Sequence, residues 1–123
     1  MLSRQNRMVE KETFRSTMRN GSKAGDRLLT VIYAAPHRGA AFGIPGTEVG
    51  FVVSKRQVPL ATRRNKIRRR LREVLRTQIP ILEAGSKVVV IVKSDAQKAS
   101  FDELRQSAMG SLSRAIKKGA RQQ

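Results

Sequence analysis

Apolar positions along the chain fall into blocks of different period, and each period predicts an element. Phe14 and Met18 lie four residues apart, which places them on one helix face and predicts a helix over about Lys11 to Asn20. Asn20-Gly21 supplies its stop, because glycine accepts the left-handed conformation after a last turn. Arg27 to Ala35, reading RLLTVIYAA, has little polar interruption and predicts a strand. Pro36 to Thr47 holds proline, histidine and three glycines and reads as a loop. Val49 to Ser54, VGFVVS, is a second strand. The longest helical pattern runs from Leu60 to about Gln78, with Leu60, Ile67, Leu71, Val74 and Leu75 on one stripe. Pro59 stands at or before its first turn, where a missing N–H costs nothing, and Pro80 ends it. Lys87 to Val92, KVVVIV, is a buried type of strand. Ser100-Phe101-Asp102-Glu103 is a capping box, in which the serine oxygen caps the helix and the glutamate reaches back. The helix it opens runs to about Lys118, with Phe101, Leu104, Ala108, Leu112 and Ile116 inward. The order helix, strand, strand, helix, strand, helix predicts an α+β class, with strands layered against helices. Strand order and crossover hand are not written in this pattern.

A chain of 123 residues fits a single domain over 1–123, with residues 1–8 and 118–123 as loosely ordered basic ends. The absence of cysteine removes disulfide scaffolds, thiolate zinc sites and thiol nucleophiles together. The first residues are polar and basic, without the apolar stretch of a secretory signal. Val88 to Val92 is far below the ~20 apolar residues of a membrane helix. A reducing cytoplasm is the natural location for such a chain.

Charge changes the picture most. Lys and Arg number 26 against 9 acids, for a net charge of +17. Self-repulsion on that scale opposes compaction, and a polyanionic partner explains its retention. A G+C-rich genome would raise arginine over lysine, but it does not account for the net charge. The segment from Ser54 to Arg76, SKRQVPLATRRNKIRRRLREVLR, holds ten basic residues (Lys55, Arg56, Arg63, Arg64, Lys66, Arg68, Arg69, Arg70, Arg72, Arg76) and one acid, Glu73. With the apolar stripe turned to the core, Asn65, Arg68, Arg69, Arg72 and Arg76 project on one flank and Lys66 and Arg70 on the other. So dense a one-signed face repels itself, and phosphate binding relieves that repulsion and releases counterions. Phosphate binding alone does not choose DNA or RNA. The chain shows no helix-turn-helix, zinc motif or zipper, and equally no aromatic strand of the RRM type and no GxxG loop.

The residues themselves resemble a family. GFVVSKR (Gly50 to Arg56), followed by ATRRNKIRRRLRE (Ala61 to Glu73), is similar to the signature of the bacterial ribonuclease P protein. In that signature a Gly-apolar-x-Val-Ser-Lys-Lys strand end precedes a helix carrying Arg-Asn-Arg-x-Lys-Arg-x-x-Arg-Glu. Arg64, Asn65, Ile67, Arg68, Arg69, Arg72 and Glu73 fall at matching places. Asn6-Arg7, Phe14 with Gly21, Arg27, the VVVIV strand and SFDELR (Ser100 to Arg105) follow in family order, so the resemblance covers nearly the whole chain. Departures are Lys66 for the second arginine of the Arg-Asn-Arg motif, Met18 for a second aromatic, and Val58-Pro59-Leu60 for the usual Gly-Asn turn. The loop from Pro36 to Glu48 is also long.

The resemblance implies an α/β sandwich with a left-handed βαβ crossover, the architecture also seen in the second domain of the fifth small-subunit ribosomal protein. It implies that Arg64, Asn65, Lys66, Arg68, Arg69 and Arg72, with Lys55 and Arg56, dock on a catalytic RNA. It implies a separate cleft for the single-stranded 5′ leader of precursor tRNA, mapping onto Phe14, Arg15, Met18, Ile32 and Val52. Read without it, Phe14 is a core residue against a sheet, and Ile32 and Val52 more so. It further implies that hydrolysis runs on the RNA with bound magnesium, that the protein holds no cofactor or metal of its own, and that it takes no small-molecule substrate. From the residues, His37 is the only histidine and sits in the Pro/Gly loop as surface filler, and Asp102 and Glu103 are helix-start residues; no catalytic residue is expected. Two other classes stay open: a structural ribosomal or RNA-packaging protein, and a cationic membrane-surface protein. The second is disfavoured because there is no Trp and the helix's apolar stripe is needed for the core.

Overall fold

The computed structural model describes residues 4–36 and 46–121. It contains α1 (Lys11–Asn20), β1 (Ser22–Gly25), β2 (Leu29–Ala34), β3 (Glu48–Val52), α2 (Ala61–Gln78), β4 (Lys87–Val92) and α3 (Phe101–Arg121), with 3-10 turns at Arg4–Asn6, Ile79–Ile81 and Ser94–Lys98. The strands form one sheet in the order β1-β2-β4-β3. β2 pairs antiparallel with β1 and β4, whereas β3 and β4 are parallel and are joined through α2. The mixed α+β layers expected from the sequence are therefore present in one sheet covered by helices.

Alternation along each strand separates two apolar layers. Leu29, Val31 and Tyr33 of β2, Val49 of β3 and Val88, Val90 and Val92 of β4 join Ile67, Leu71, Val74 and Leu75 of α2 and Leu104, Ala108, Leu112 and Ala115 of α3 in the main core. The opposite sheet face presents Ile32, Val89, Val52 and Ile91, and there α1 lays Phe14 and Met18. Continuous Val/Ile runs in β2 and β4 follow directly, since both faces of those central strands are covered.

Several expectations shift. β1 was not evident in the sequence; Ser-Lys-Ala-Gly lacks β-branched residues, yet it pairs along Ser22↔Tyr33 to Gly25↔Thr30. Its outer carbonyls are occupied by α3, with Lys118 Nζ donating to the Lys23 carbonyl (3.3 Å) and Arg114 Nη2 to the Gly25 carbonyl (3.4 Å). Gly21 does close α1, but in an extended conformation (φ −76°, ψ 158°) instead of the left-handed one. Its smallness has another cause: a Cβ there would lie 2.5 Å from Ile32 Cγ2 and 2.6 Å from the Thr17 carbonyl. Phe101 is 40% exposed instead of inward, because the capping box puts it in the first turn, ahead of the buried stripe. The box itself forms as read, with Glu103 N–H donating to Ser100 Oγ (3.1 Å) and Ser100 N–H to Glu103 Oε1 (2.9 Å). α3 continues to Arg121, past the expected end near Lys118. Of the amino-terminal residues read as loosely ordered, Arg7 bridges Val49 and Met8 is buried at 6% exposure. His37 and most of the long loop lie outside the described residues.

Candidate nucleic-acid interface

The strand end after β3 turns sharply before α2. Val58 N–H donates to the Ser54 carbonyl (2.9 Å) and Gln57 N–H to Ser54 Oγ (3.2 Å), which leaves Lys55 and Arg56 exposed at the tip. Val58 is fully buried and anchors the turn. α2 then starts at Ala61 with Leu60 as an uncapped N-terminal residue and no acid in its first turn. Free N–H groups, the positive end of the helix dipole and Arg63 and Arg64 thus share one place, where an anion is favoured and a cation is not.

The side chains of α2 divide by task. Asn65, Lys66 and Arg69 are exposed, and Arg68, Arg70 and Arg72 are half-buried. Arg68 Nη1 donates to Asn65 Oδ1 at 3.4 Å. Arg64, expected by resemblance at the RNA-docking face, is half-buried in the first turn of α2. Its Nη1 turns back to donate to the carbonyls of Val58 (2.9 Å) and Pro59 (2.8 Å), so it fastens the turn to the helix. Burial, together with the charges of Arg7 and Arg68, lowers the Arg72 guanidinium from its ordinary value. Among the described residues, Arg72 Nε is buried with no hydrogen-bond partner. Arg76 pairs with Glu73 at 2.6 Å and holds that carboxyl below the ordinary carboxylate value. Among the described residues, most of this cationic face therefore has no acid paired with it.

The other face of the sheet carries a groove. An open hollow of about 560 Å³ is bounded by Phe14, Arg15, Met18, Arg19 and Val52. α1 builds one wall because Phe14, Arg15, Met18 and Arg19 fall on adjacent turns. The Phe14 ring lies on Gly50, where a Cβ would come within 2.4 Å of Cζ and 2.6 Å of Cε1. The floor continues past Val52 as a register row, Val52↔Ile91↔Thr30↔Gly25, that crosses all four strands. Val52, Ile91 and Thr30 are half-buried. Of the five residues expected at a leader cleft, Phe14, Arg15, Met18 and Val52 meet here. Ile32 is fully buried and supports the floor from below without offering surface. The sequence reading missed Arg19, which pairs only loosely with Glu12 at 3.7 Å, both being exposed. It also missed Met8, which stands beside Phe14 over Gly50.

An apolar groove with a guanidinium rim suits unpaired bases, which stack on aromatic and thioether surfaces while phosphates meet the cations. A second hollow, between Asp26, Arg27 and Glu103, is polar, and its acids already bond within the fold. Among the described residues no three His, Asp or Glu side chains gather as metal ligands, and no helix is long and apolar enough to cross a membrane.

Comparisons with known proteins bear on the family of the whole chain. The family model described as Ribonuclease P matches residues 2–116. The ribonuclease P protein component of Streptomyces avermitilis is 38% identical over 125 residues, covering 98% of this chain and 100% of that protein. Its counterpart in Streptomyces bikiniensis is 35% identical over 125 residues with the same coverage of 98% and 100%. The solved structure of the Staphylococcus aureus RNase P protein matches with a TM-score of 0.73 at 21% identity, covering 89% of this chain and 94% of that one. The Thermotoga maritima RNase P protein matches with a TM-score of 0.67 at 22% identity, covering 85% and 92%. The structural likenesses speak to fold and the sequence likenesses to descent, and together they establish that this chain belongs to the ribonuclease P protein family.

Proposed function

We propose that the chain is the protein subunit of a bacterial ribonuclease P, docking on the catalytic RNA through α2 and holding the 5′ leader of precursor tRNA in the α1 groove. The observation that carries this reading is the placement of two unlike surfaces on opposite faces of one sheet. One is a densely basic helix face whose guanidiniums mostly lack acid partners among the described residues, and the other is an apolar groove with a cationic rim. A protein that only packages RNA needs the first surface and has no use for the second.

The chemistry assigned to the protein is electrostatic and positional. Arg68, Arg69, Arg72 and Lys66 meet phosphates of the folded RNA, with Lys55 and Arg56 reaching from the turn. Asn65 adds a neutral amide beside Arg68. Arg64 acts by fixing the turn that presents them. In the groove, Phe14 and Met18 receive bases, and Arg15 and Arg19 meet the backbone. Screening of repulsion between two polyanions and a fixed leader path promote endonucleolytic removal of the leader, which leaves the mature tRNA 5′ end. Hydrolysis belongs to the RNA subunit, whose bound magnesium supplies the Lewis acid. The protein alone is inactive, takes no small-molecule substrate, and works in the cytoplasm.

The test is equilibrium binding of precursor and mature tRNA to the catalytic RNA, with and without this protein. The proposal expects the protein to tighten precursor binding selectively. Equal tightening of both tRNAs would return the chain to general RNA binding.

A further inference from the structure

Val58-Pro59-Leu60 stands between β3 and α2 where the resembled signature has Gly-Asn, and Leu60 brings no side-chain cap to α2. Arg64 fastens the end of this turn through the carbonyls of Val58 and Pro59. The tip, with Lys55, Arg56 and Gln57, is tied from elsewhere, by the 3-10 turn Ser94–Lys98 that follows β4. The Ser94 N–H donates to Gln57 Oε1 at 3.0 Å. Gln97 Nε2 donates to the Gln57 carbonyl at 3.0 Å and to the Ser94 carbonyl at 3.2 Å. Gln97 Oε1 accepts from Arg63 Nη1 at 3.4 Å, in the first turn of α2. Two glutamine side chains thus join three segments at one place.

A side-chain amide has two N–H donors and one carbonyl acceptor. Gln97 engages both kinds at once, its nitrogen on two carbonyls and its oxygen on a guanidinium. That pattern also fixes the amide's orientation, since the flipped form would set oxygen against two carbonyls. Buried Val58 and buried Ala96 anchor the two turns that the amide ties together. The tie is neutral. A carboxylate at position 97 would pair with Arg63, repel the two carbonyls, and put negative charge beside cations that have to meet phosphate. The amides hold those cations in place and cancel none of them.

We propose that Gln57 and Gln97 are positioning residues for RNA docking: they hold the tip of the turn so that Lys55 and Arg56 meet phosphates of the catalytic RNA already ordered. The inference rests on the reading of α2 and its turn as the docking face. A long cation on a free loop loses backbone and rotamer freedom when it meets a phosphate, and that loss weakens binding. A loop held beforehand has already lost it. Exposed hydrogen bonds add little to global stability, so the latch acts on local order and affinity and leaves the melting temperature nearly alone.

The experiment titrates the full chain against a bacterial ribonuclease P RNA at fixed salt and magnesium. Gln97→Ala weakens binding about 5–10-fold, as expected when the turn keeps its docking geometry only about one-fifth to one-tenth of the time. The Gln57 amide, which donates to Ser54 Oγ, exchanges faster in that variant. Ser94→Pro removes the N–H that Gln57 accepts, at the first residue of a 3-10 turn and after an extended Lys93, where proline fits. It weakens binding in the same direction as Gln57→Ala, and the two together cost no more than either alone, because they delete one hydrogen bond. The melting temperature of each variant stays within about 4 °C of wild type. In the Lys55→Ala/Arg56→Ala background, Gln97→Ala costs less than about twofold, since a turn without its cations gains nothing from being held. A loss of the same size in both backgrounds would make Gln97 merely structural and overturn the positioning role, as would unchanged binding by Gln97→Ala. If Lys55→Ala/Arg56→Ala itself binds like wild type, the turn leaves the docking face and the role falls with that reading. If that variant binds weakly while Gln97→Ala binds normally, the docking reading stands and only the latch falls. Should Gln97→Ala fail to fold, Ser94→Pro goes through the same cycle and decides between the same outcomes.

Discussion

Replacing Gly50 with alanine perturbs the groove without touching a charged group. A Cβ at this position would lie 2.4 Å from Phe14 Cζ, 2.6 Å from Cε1 and 3.2 Å from Met8 Cβ, while ordinary contact begins at 3.4 Å. The ring must therefore retreat by about 1 Å, the difference between 3.4 and 2.4 Å. Phe14 is half-buried and borders an open groove, so it tilts into that space and the sheet keeps its place. Gly50 does not have a positive φ, so alanine brings no backbone strain there. It also removes the roughly 0.5–1 kcal/mol that glycine costs inside a strand, which offsets part of the lost packing. The melting temperature should then stay within about 4 °C of wild type. Stacking a base on an aromatic ring is worth about 1–3 kcal/mol, and a displaced ring forfeits about half of it. Precursor tRNA binding to the reconstituted RNA–protein complex should weaken about 2–13-fold, which corresponds to about 0.5–1.5 kcal/mol. Mature tRNA binding should change by less than about twofold, since no leader is present to feel the ring. The assay is equilibrium binding of both tRNAs at fixed salt and magnesium. Equal losses for the two tRNAs, or unchanged precursor binding by a folded variant, would refute the placement of the leader on Phe14.

Arg68→Ala and Arg72→Ala should each lower the slope of log K against log salt for the catalytic RNA by about 0.7–0.9; an unchanged slope in both removes them from the phosphate contacts. Met18→Phe should tighten precursor binding about 3–10-fold by adding a stacking surface in the groove, and a loss of affinity would show that the thioether fits better than a ring. Burial pushes the Asp26 carboxyl up, but hydrogen bonds from Ser107, Leu28 N–H and Leu29 N–H, with Arg114 nearby, outweigh it and hold the group below 3.8. A depressed folded value means stability that is present above the unfolded value and lost as pH falls through the folded one. The urea midpoint should thus drop between pH 6 and pH 3, and drop less in Asp26→Asn; an identical drop in both proteins would exclude Asp26 from acid unfolding.

The elements that bury an apolar stripe were readable from spacing. Ile67, Leu71, Val74 and Leu75 mark α2 and the VVVIV run marks β4, because burial is what gives a sequence its period. β1 has no such period, since Ser22–Gly25 is specified by its pairing to β2 and by cations of α3 on its outer carbonyls. Gly21 was placed correctly at a helix end for a conformation it does not adopt; the approach of Ile32 and of the Thr17 carbonyl is a tertiary fact. In the groove, the four-residue spacing of Phe14 and Met18 disclosed one wall. The depth of Ile32 and the arrival of Met8 depend on sheet register, which a single strand's pattern does not contain. Charge density marked α2 as the basic helix. It did not show that Arg64 is turned back onto Val58 and Pro59.

The central claim is tested most directly by 5′-leader cleavage of a precursor tRNA at low magnesium, using a bacterial ribonuclease P RNA with and without this protein. The account predicts cleavage at the mature 5′ end only when RNA and protein are both present, and none with the protein alone. Binding of the protein to the RNA without any stimulation of cleavage would contradict it, leaving α2 as a basic helix and the groove without a leader.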